Sequence, residues 1–336
     1  MMELGSFLIL VGINFLLINL FFRLAVRWKI VDTPNERSSH KNITIRGGGI
    51  VVPLAWLIYA AWNNFAEPYI TLAIVLIAII SFVDDFKPQK PLTRVLVHVT
   101  ALLLVYYQFA LIPELDWFFF VPVLIVSIGL LNAVNFMDGI NGISLLYFFV
   151  FLASCAFVSE QWFGSSEEWW SLKNPYIFLF SALMVFGFYN LRAKAKTFAG
   201  DVGSVSIGFL MIVFLINTGL SQNSSNLQSQ FNFSFNWNYI FFLAIYGIDS
   251  ILTIAQRLYQ RENIFKAHRS HLYQLLCNDL AWPHLLVAFI YAGIQLAFNL
   301  YIIFCLPHLG LTIGITAVLA LIYIVIKVLI LKTKKA

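Results

Sequence analysis

The residues able to do chemistry stand in five short polar clusters, each breaking into or following an apolar run. They are VDTPNERSSHKNITIRGGG (Val31–Gly49), Asp84-Asp85, LNAVNFMDGINGI (Leu131–Ile143), FAGDVGS (Phe198–Ser204) and AHRSHLYQ (Ala267–Gln274). Carboxylates and amides at the mouth of a membrane helix are costly unless water, a metal or a ligand meets them. The inventory of aspartates, amides, glycines, histidines and arginines suits the handling of phosphates with a hard divalent cation. Mg²⁺ takes oxygen ligands, usually one or two carboxylates, with phosphates and water completing its shell. Transfer of a phosphoryl-type group then depends chiefly on positioning and charge neutralisation. Glycines let backbone N–H groups approach phosphate oxygens.

Each cluster also has a plainer reading. Adjacent helical residues point about 100° apart, so Asp84 and Asp85 do different jobs, as metal ligand and base, or else mark a solvated helix end. Asp138 and Asp201 each adjoin glycine, as turn and cap residues do. Asp249 lies inside an apolar helix, where it serves a site or pairs with a cation such as Arg257. His268 and His271 are three residues apart, so one helical face can present both. They have no third soft ligand nearby, which favours phosphate over zinc, and a solvated pair is the alternative.

The elements that must position these residues are membrane helices. The chain has 336 residues, of which 60% are hydrophobic, 17% aromatic and 11% charged. Soluble chains carry about twice that charge, and a spanning helix needs roughly 20 residues. The class is an all-α, polytopic integral membrane protein. Eleven helices are expected near Ser6–Phe22, Gly49–Trp62, Tyr69–Val83, Val95–Ile112, Phe118–Val134, Ile143–Val158, Pro175–Tyr189, Gly203–Leu220, Tyr239–Ala255, His284–Cys305 and Leu309–Leu331. No separate soluble domain or transporter-type repeat is visible, so residues 1–336 read as one membrane-embedded domain.

The basic residues orient it. Arg23, Arg27, Lys29, Arg37, Lys41 and Arg46 fall in the first connection, and Lys87, Lys90 and Arg94 in the third. Arg192, Lys194 and Lys196 fall in the seventh, and Arg257, Arg261, Lys266 and Arg269 in the ninth. The tail holds Lys327, Lys332, Lys334 and Lys335, which leaves Lys173 alone for the even connections. The positive-inside rule puts the N-terminus outside and the C-terminus in the cytoplasm. All five clusters then face the cytoplasm. The net charge of +5 is membrane topology, not a nucleic-acid footprint, and the three cysteines have no ligand spacing.

In these clusters, and in their order, the chain resembles the polyprenyl-phosphate N-acetylhexosamine-1-phosphate transferases of glycosyltransferase family 4. The motifs are DTPNERSSH with GGG, DD, NxxNFMDGxNG, FxGDxGS and HRxHxYQ, and they run from Asp32 to Gln274. The resemblance implies a bacterial inner-membrane enzyme with a cytoplasmic active site. Such enzymes move a sugar-1-phosphate from a UDP-N-acetylhexosamine to undecaprenyl phosphate and release UMP, with Mg²⁺, or Mn²⁺ in its place. It implies catalytic roles for Asp84, Asp85, Asp138 and Asp201, with Asp201, Asn135 and Asp138 at the metal. Asn141, Asn190, Phe198, Asp249, His268, Arg269 and His271 would meet the nucleotide sugar, Phe198 by stacking on uracil. Arg37, His40, Arg46 and Gly48 would meet the lipid phosphate. A homodimer in the lipid bilayer is compatible with this reading.

The chain departs from the family pattern at several points. Ile43 and Ile45 stand where prolines are common, Asn141 replaces the second acid of the DG motif, and Ala199 replaces a common Met. Asn190 stands one residue early, and Lys194 precedes Ala195-Lys196. HRSHLYQ lacks the histidine run of the peptidoglycan branch, which favours an O-antigen or other surface-glycan initiator using GlcNAc, FucNAc or QuiNAc. The rival readings are a lipid-linked-sugar flippase and an inactive lipid-binding relative.

Overall fold

A computed structural model describes residues 2–32, 44–114, 117–163, 172–221, 235–263 and 269–333. It is helical almost throughout, and a helix stands at every segment expected from the sequence. The helices are α1 (Met2–Trp28), α2 (Val51–Trp62), α3 (Pro68–Phe86), α4 (Pro91–Gln108), α5 (Trp117–Met137), α6 (Ile143–Phe163), α7 (Pro175–Asn190), α8 (Gly200–Ser221), α9 (Ala244–Tyr259), α10 (His284–Cys305) and α11 (Leu309–Thr333). Among the described residues, seven segments are long and apolar enough to cross a membrane, and three further apolar helices are shorter. The protein is therefore an all-α, multi-pass membrane protein.

Local chemistry sets several boundaries. Proline opens α3, α4 and α7, where its missing N–H has no helical partner to lose. Asn174 caps α7 by accepting from Tyr176 N at 3.0 Å. Helix α4 begins about a turn earlier than the hydropathy suggested, so Arg94 lies on a helix rather than in a connection. Helix α8 begins at Gly200, which puts Asp201 in its first turn. A 3₁₀ segment, Trp237–Leu243, leads into α9.

The organising element is α8. Of its most apolar window, 89% is buried, against 17% for α11. It runs through the middle of the molecule and packs on α2, α3, α5 and α6. Small residues allow this. A Cβ on Gly208 would stand 3.3 Å from Val134 Cβ and 3.4 Å from Leu131 Cα of α5. Close approach at small residues is how helices associate where lipid removes the hydrophobic drive. Buried amides add cross-links: Gln295 and Asn299 of α10 join Tyr147 and Ser154 of α6.

One short ladder matters for the site. Strands β1 (Val31–Asp32) and β2 (Thr44–Ile45) pair antiparallel, Val31 opposite Ile45 and Asp32 opposite Thr44. Ile45 also bridges in parallel to Thr197. The first polar cluster is thereby fastened to the loop that carries FAGDVGS.

Candidate active site

Three clusters meet where the C-terminal end of α3 faces the N-terminus of α8. Asp85 is fully buried, and its Oδ1 and Oδ2 accept from the N–H groups of Asp201 at 2.8 Å and Val202 at 3.0 Å. These are orphan donors of the first turn of α8, and an anion there also meets the positive end of the helix dipole. Arg46 Nε lies 2.7 Å from Asp85, and its Nη2 lies 2.9 Å from Asp201 Oδ1. Asp84 points the other way round the α3 helix. It accepts from Gln89 N and pairs with Arg94 Nη1 at 3.0 Å. The carboxyls of Asp84 and Asp201 lie close enough for each to feel the other. One acid of the pair is thus a structural anchor and the other faces Asp201, so the two do different jobs.

The glycines pack the first connection against the loop before α8. Gly48 N donates to Phe198 O at 2.9 Å and Gly49 N to Ala199 O at 3.1 Å. Gly48 is buried against the Thr197 side chain, and a Cβ on Gly49 would stand 2.5 Å from Gly203 Cα. The triple glycine lets two backbones touch, and the Gly48 N–H is spent on Phe198 O. Gly200 has φ +70°, and a Cβ there would fall 2.6 Å from Gly47 N. Only glycine suits both the conformation and the space.

The central cluster joins the same end. Asn135 Oδ1 accepts from Ser204 Oγ at 2.7 Å. Asp138 is half-buried just beyond α5 and feels the charges of Arg46 and Asp85. Burial pushes its carboxyl up to about 6. Asn190 and Asn141 act as loop clamps. Asn190 Oδ1 accepts from Gly142 N at 2.8 Å, and its Nδ2 donates to Thr197 O at 2.9 Å. Asn141 Nδ2 donates to Arg192 O at 3.0 Å. Their amides hold the site's walls together. Phe198 is half-buried, with its backbone in the ladder to Ile45 and Gly48.

The fifth cluster is reached through a residue the sequence reading passed over. Tyr273 OH donates to Phe136 O at 2.9 Å, and the ring covers Gly139. His271 stacks against Tyr273 with ring centroids 5.7 Å apart. His271 Nδ1 is 2.9 Å from Asp249 Oδ1. The expected partner of Asp249, Arg257, turns instead to Glu262 at 3.0 Å and to Asn263 O at 2.6 Å. Arg269 is half-buried two residues before His271. Arg37, His40 and His268 lie outside the described residues.

A divalent cation fits the donor set by type. Among the described residues, no three His, Cys, Asp or Glu side chains are gathered into a ready metal cluster. Two adjoining carboxyls, Asp84 and Asp201, are nevertheless present, and one or two are what Mg²⁺ usually takes from a protein beside substrate phosphates.

The model of the family "Glycosyl transferase family 4" matches residues 68–219. That stretch holds Asp84, Asp85, Asn135, Asp138, Asn141, Asn190, Phe198 and Asp201. Over that stretch the chain is similar to glycosyl transferase family 4. It is 23% identical over 272 residues to a probable undecaprenyl-phosphate N-acetylglucosaminyl 1-phosphate transferase of Bacillus subtilis (strain 168), covering 76% of this chain and 71% of that protein. It is 29% identical over 224 residues to a phospho-N-acetylmuramoyl-pentapeptide-transferase of Thermotoga neapolitana, covering 61% of this chain and 70% of that protein. The family match ends before Asp249, Arg269 and His271 and begins after Arg46 and Gly48. Arg46 and Gly48 contact the matched stretch directly, and Asp249 and His271 reach it through Tyr273.

Proposed function

We propose that the protein transfers an N-acetylhexosamine-1-phosphate from a UDP-sugar to undecaprenyl phosphate, releasing UMP and starting a surface polysaccharide such as O-antigen. The observation that carries it is Arg46 held between Asp85 and Asp201 while Asp84 adjoins Asp201, at the ends of α3 and α8. The relatives' names speak for a polyprenyl-phosphate sugar-1-phosphate transferase, of N-acetylglucosaminyl or phospho-N-acetylmuramoyl-pentapeptide type. The missing histidine run speaks for the first, with GlcNAc, FucNAc or QuiNAc as the sugar. The basic connections speak for this end of the molecule facing the cytoplasm, at a bacterial inner membrane on this reading.

In the reaction, an oxygen of the lipid phosphate attacks the β-phosphorus of the UDP-sugar. The bond from that phosphorus to the bridging oxygen breaks, and the oxygen leaves on UMP. A phosphate monoester is mostly dianionic at neutral pH, its second pKa being about 6, so no side chain has to serve as base. Asp85 is occupied with the backbone of α8 and holds Arg46. Arg46 presents a planar fork of N–H donors suited to phosphate oxygens. Asp201 and Asp84 would hold Mg²⁺ or Mn²⁺, with Asn135 and Asp138 on the adjoining turn. Such an ion neutralises the charge of the diphosphate when bound.

The test is purified protein with undecaprenyl phosphate and a panel of radiolabelled UDP-N-acetylhexosamines, with and without Mg²⁺. Cation-dependent UMP release matched by a labelled lipid is the expected result. No product with any sugar, from folded protein at saturating substrate, overturns the reading.

A further inference from the structure

Lys327 stands in the last helix, where the sequence alone counts it with the basic tail. In the structure it is 5% exposed, and it joins Thr312, Tyr323 and Ile330 as the buried residues of an otherwise outward-facing α11. An ammonium buried among apolar helices is costly unless an anion answers it. The anion is Asp249 of α9, itself 0% exposed.

The link runs through two hydroxyls. Lys327 Nζ donates to Thr253 Oγ1 at 2.9 Å and to Tyr323 OH at 3.1 Å. Each hydroxyl passes its own proton on to Asp249 Oδ1, Tyr323 at 2.9 Å and Thr253 at 3.2 Å. Tyr291 OH of α10 donates to Asp249 Oδ2 at 2.6 Å, and Leu272 N to Oδ1 at 3.3 Å. The remaining neighbour of the carboxylate is His271 Nδ1 at 2.9 Å. A carboxylate only accepts, so this contact fixes the proton on Nδ1 and the plane of the ring. Beyond His271, Tyr273 rests on Phe136 O and Gly139, next to Asp138. Arg257, one turn past Thr253, is taken by Glu262 and does not compete for Asp249.

We infer that the last helix is part of the site, and that Lys327 and Tyr323 are positioning residues. They hold Asp249 in place, and through it orient the histidine motif against the Asp138–Gly139 turn. A buried polar network of this kind orders a site only while each member is satisfied.

Two measurements test this. The first needs no activity. The Nδ1–H proton of His271 bonded to a carboxylate gives a downfield proton NMR signal, assigned by its loss in His271→Gln and Asp249→Asn protein. Lys327→Met and Tyr323→Phe are expected to shift or abolish it, and Lys332→Gln, an exposed neighbour on the same helix, to leave it. Tyr323→Phe removes one hydroxyl and carries the test if Lys327→Met does not fold. An unmoved signal in folded variants overturns the inference. The second measurement rests on the transferase reading. Lys327→Met is expected to lower kcat/KM about tenfold, as loss of a group that orients a site residue does. It should add nothing in a His271→Gln background, whereas independent effects would multiply. Multiplying effects overturn the inference. A protein without transferase activity sinks the proposed function and leaves the NMR result to decide this one.

Discussion

Asp85 holds the backbone of Asp201: the carboxylate at the end of α3 accepts from the first-turn N–H groups of α8, 116 positions further along the chain. The helix that carries Asp201 is thereby docked at its charged end, and Arg46 closes the arrangement from the first connection.

Asp85→Ala therefore costs stability as well as activity. Loss of a capping carboxylate costs about 1–2 kcal/mol, and here Arg46 loses its partner too. A lowered Tm in detergent is expected, together with lost turnover. An unchanged Tm would show that α8 docks without this contact.

Asp201→Asn should behave differently. The substitution keeps the shape and leaves the N–H contacts to Asp85, so Tm should stay close to that of the unaltered protein. UMP release dependent on a divalent cation should be lost. Normal turnover in this variant counts against Asp201 as a cation ligand.

Asp138 lends the site a pH dependence. Its carboxyl is raised to about 6 by burial. The folded protein thus holds this proton more tightly than the unfolded chain does. The resulting stability is complete below the unfolded value and is lost as pH rises through about 6. Asp138→Asn removes the charge that causes the loss. It is expected to raise Tm at pH 8, with a gain that shrinks toward pH 5, while turnover falls. A gain that does not vary with pH would place the titration elsewhere.

The covering of Gly139 by Tyr273 gives a paired test. Gly139→Ala drives a methyl into the tyrosine hydroxyl, and overpacking of this kind costs roughly 1–3 kcal/mol. Tyr273→Phe makes room at the price of one hydrogen bond, so the double variant should recover part of the lost Tm. Strict additivity would mean that the two do not meet.

The sequence by itself determined the membrane class, the position of each helix and the order of the polar clusters. These are local properties. Apolar runs of spanning length show in a window, and DD, DGING and GD are recognisable where they stand. The tertiary structure decided what each residue does. Asp85 became a cap, the triple glycine a place where backbones touch, and Asn190 a clamp on Gly142 and Thr197. Lys327, indistinguishable in the sequence from the charges of the tail, became a partner of the hydroxyls around Asp249, 74 positions from Thr253. A hydrogen bond needs two groups within about 3 Å. No periodicity along the chain records which distant helix supplies the second one, because the packing of helices against one another decides it.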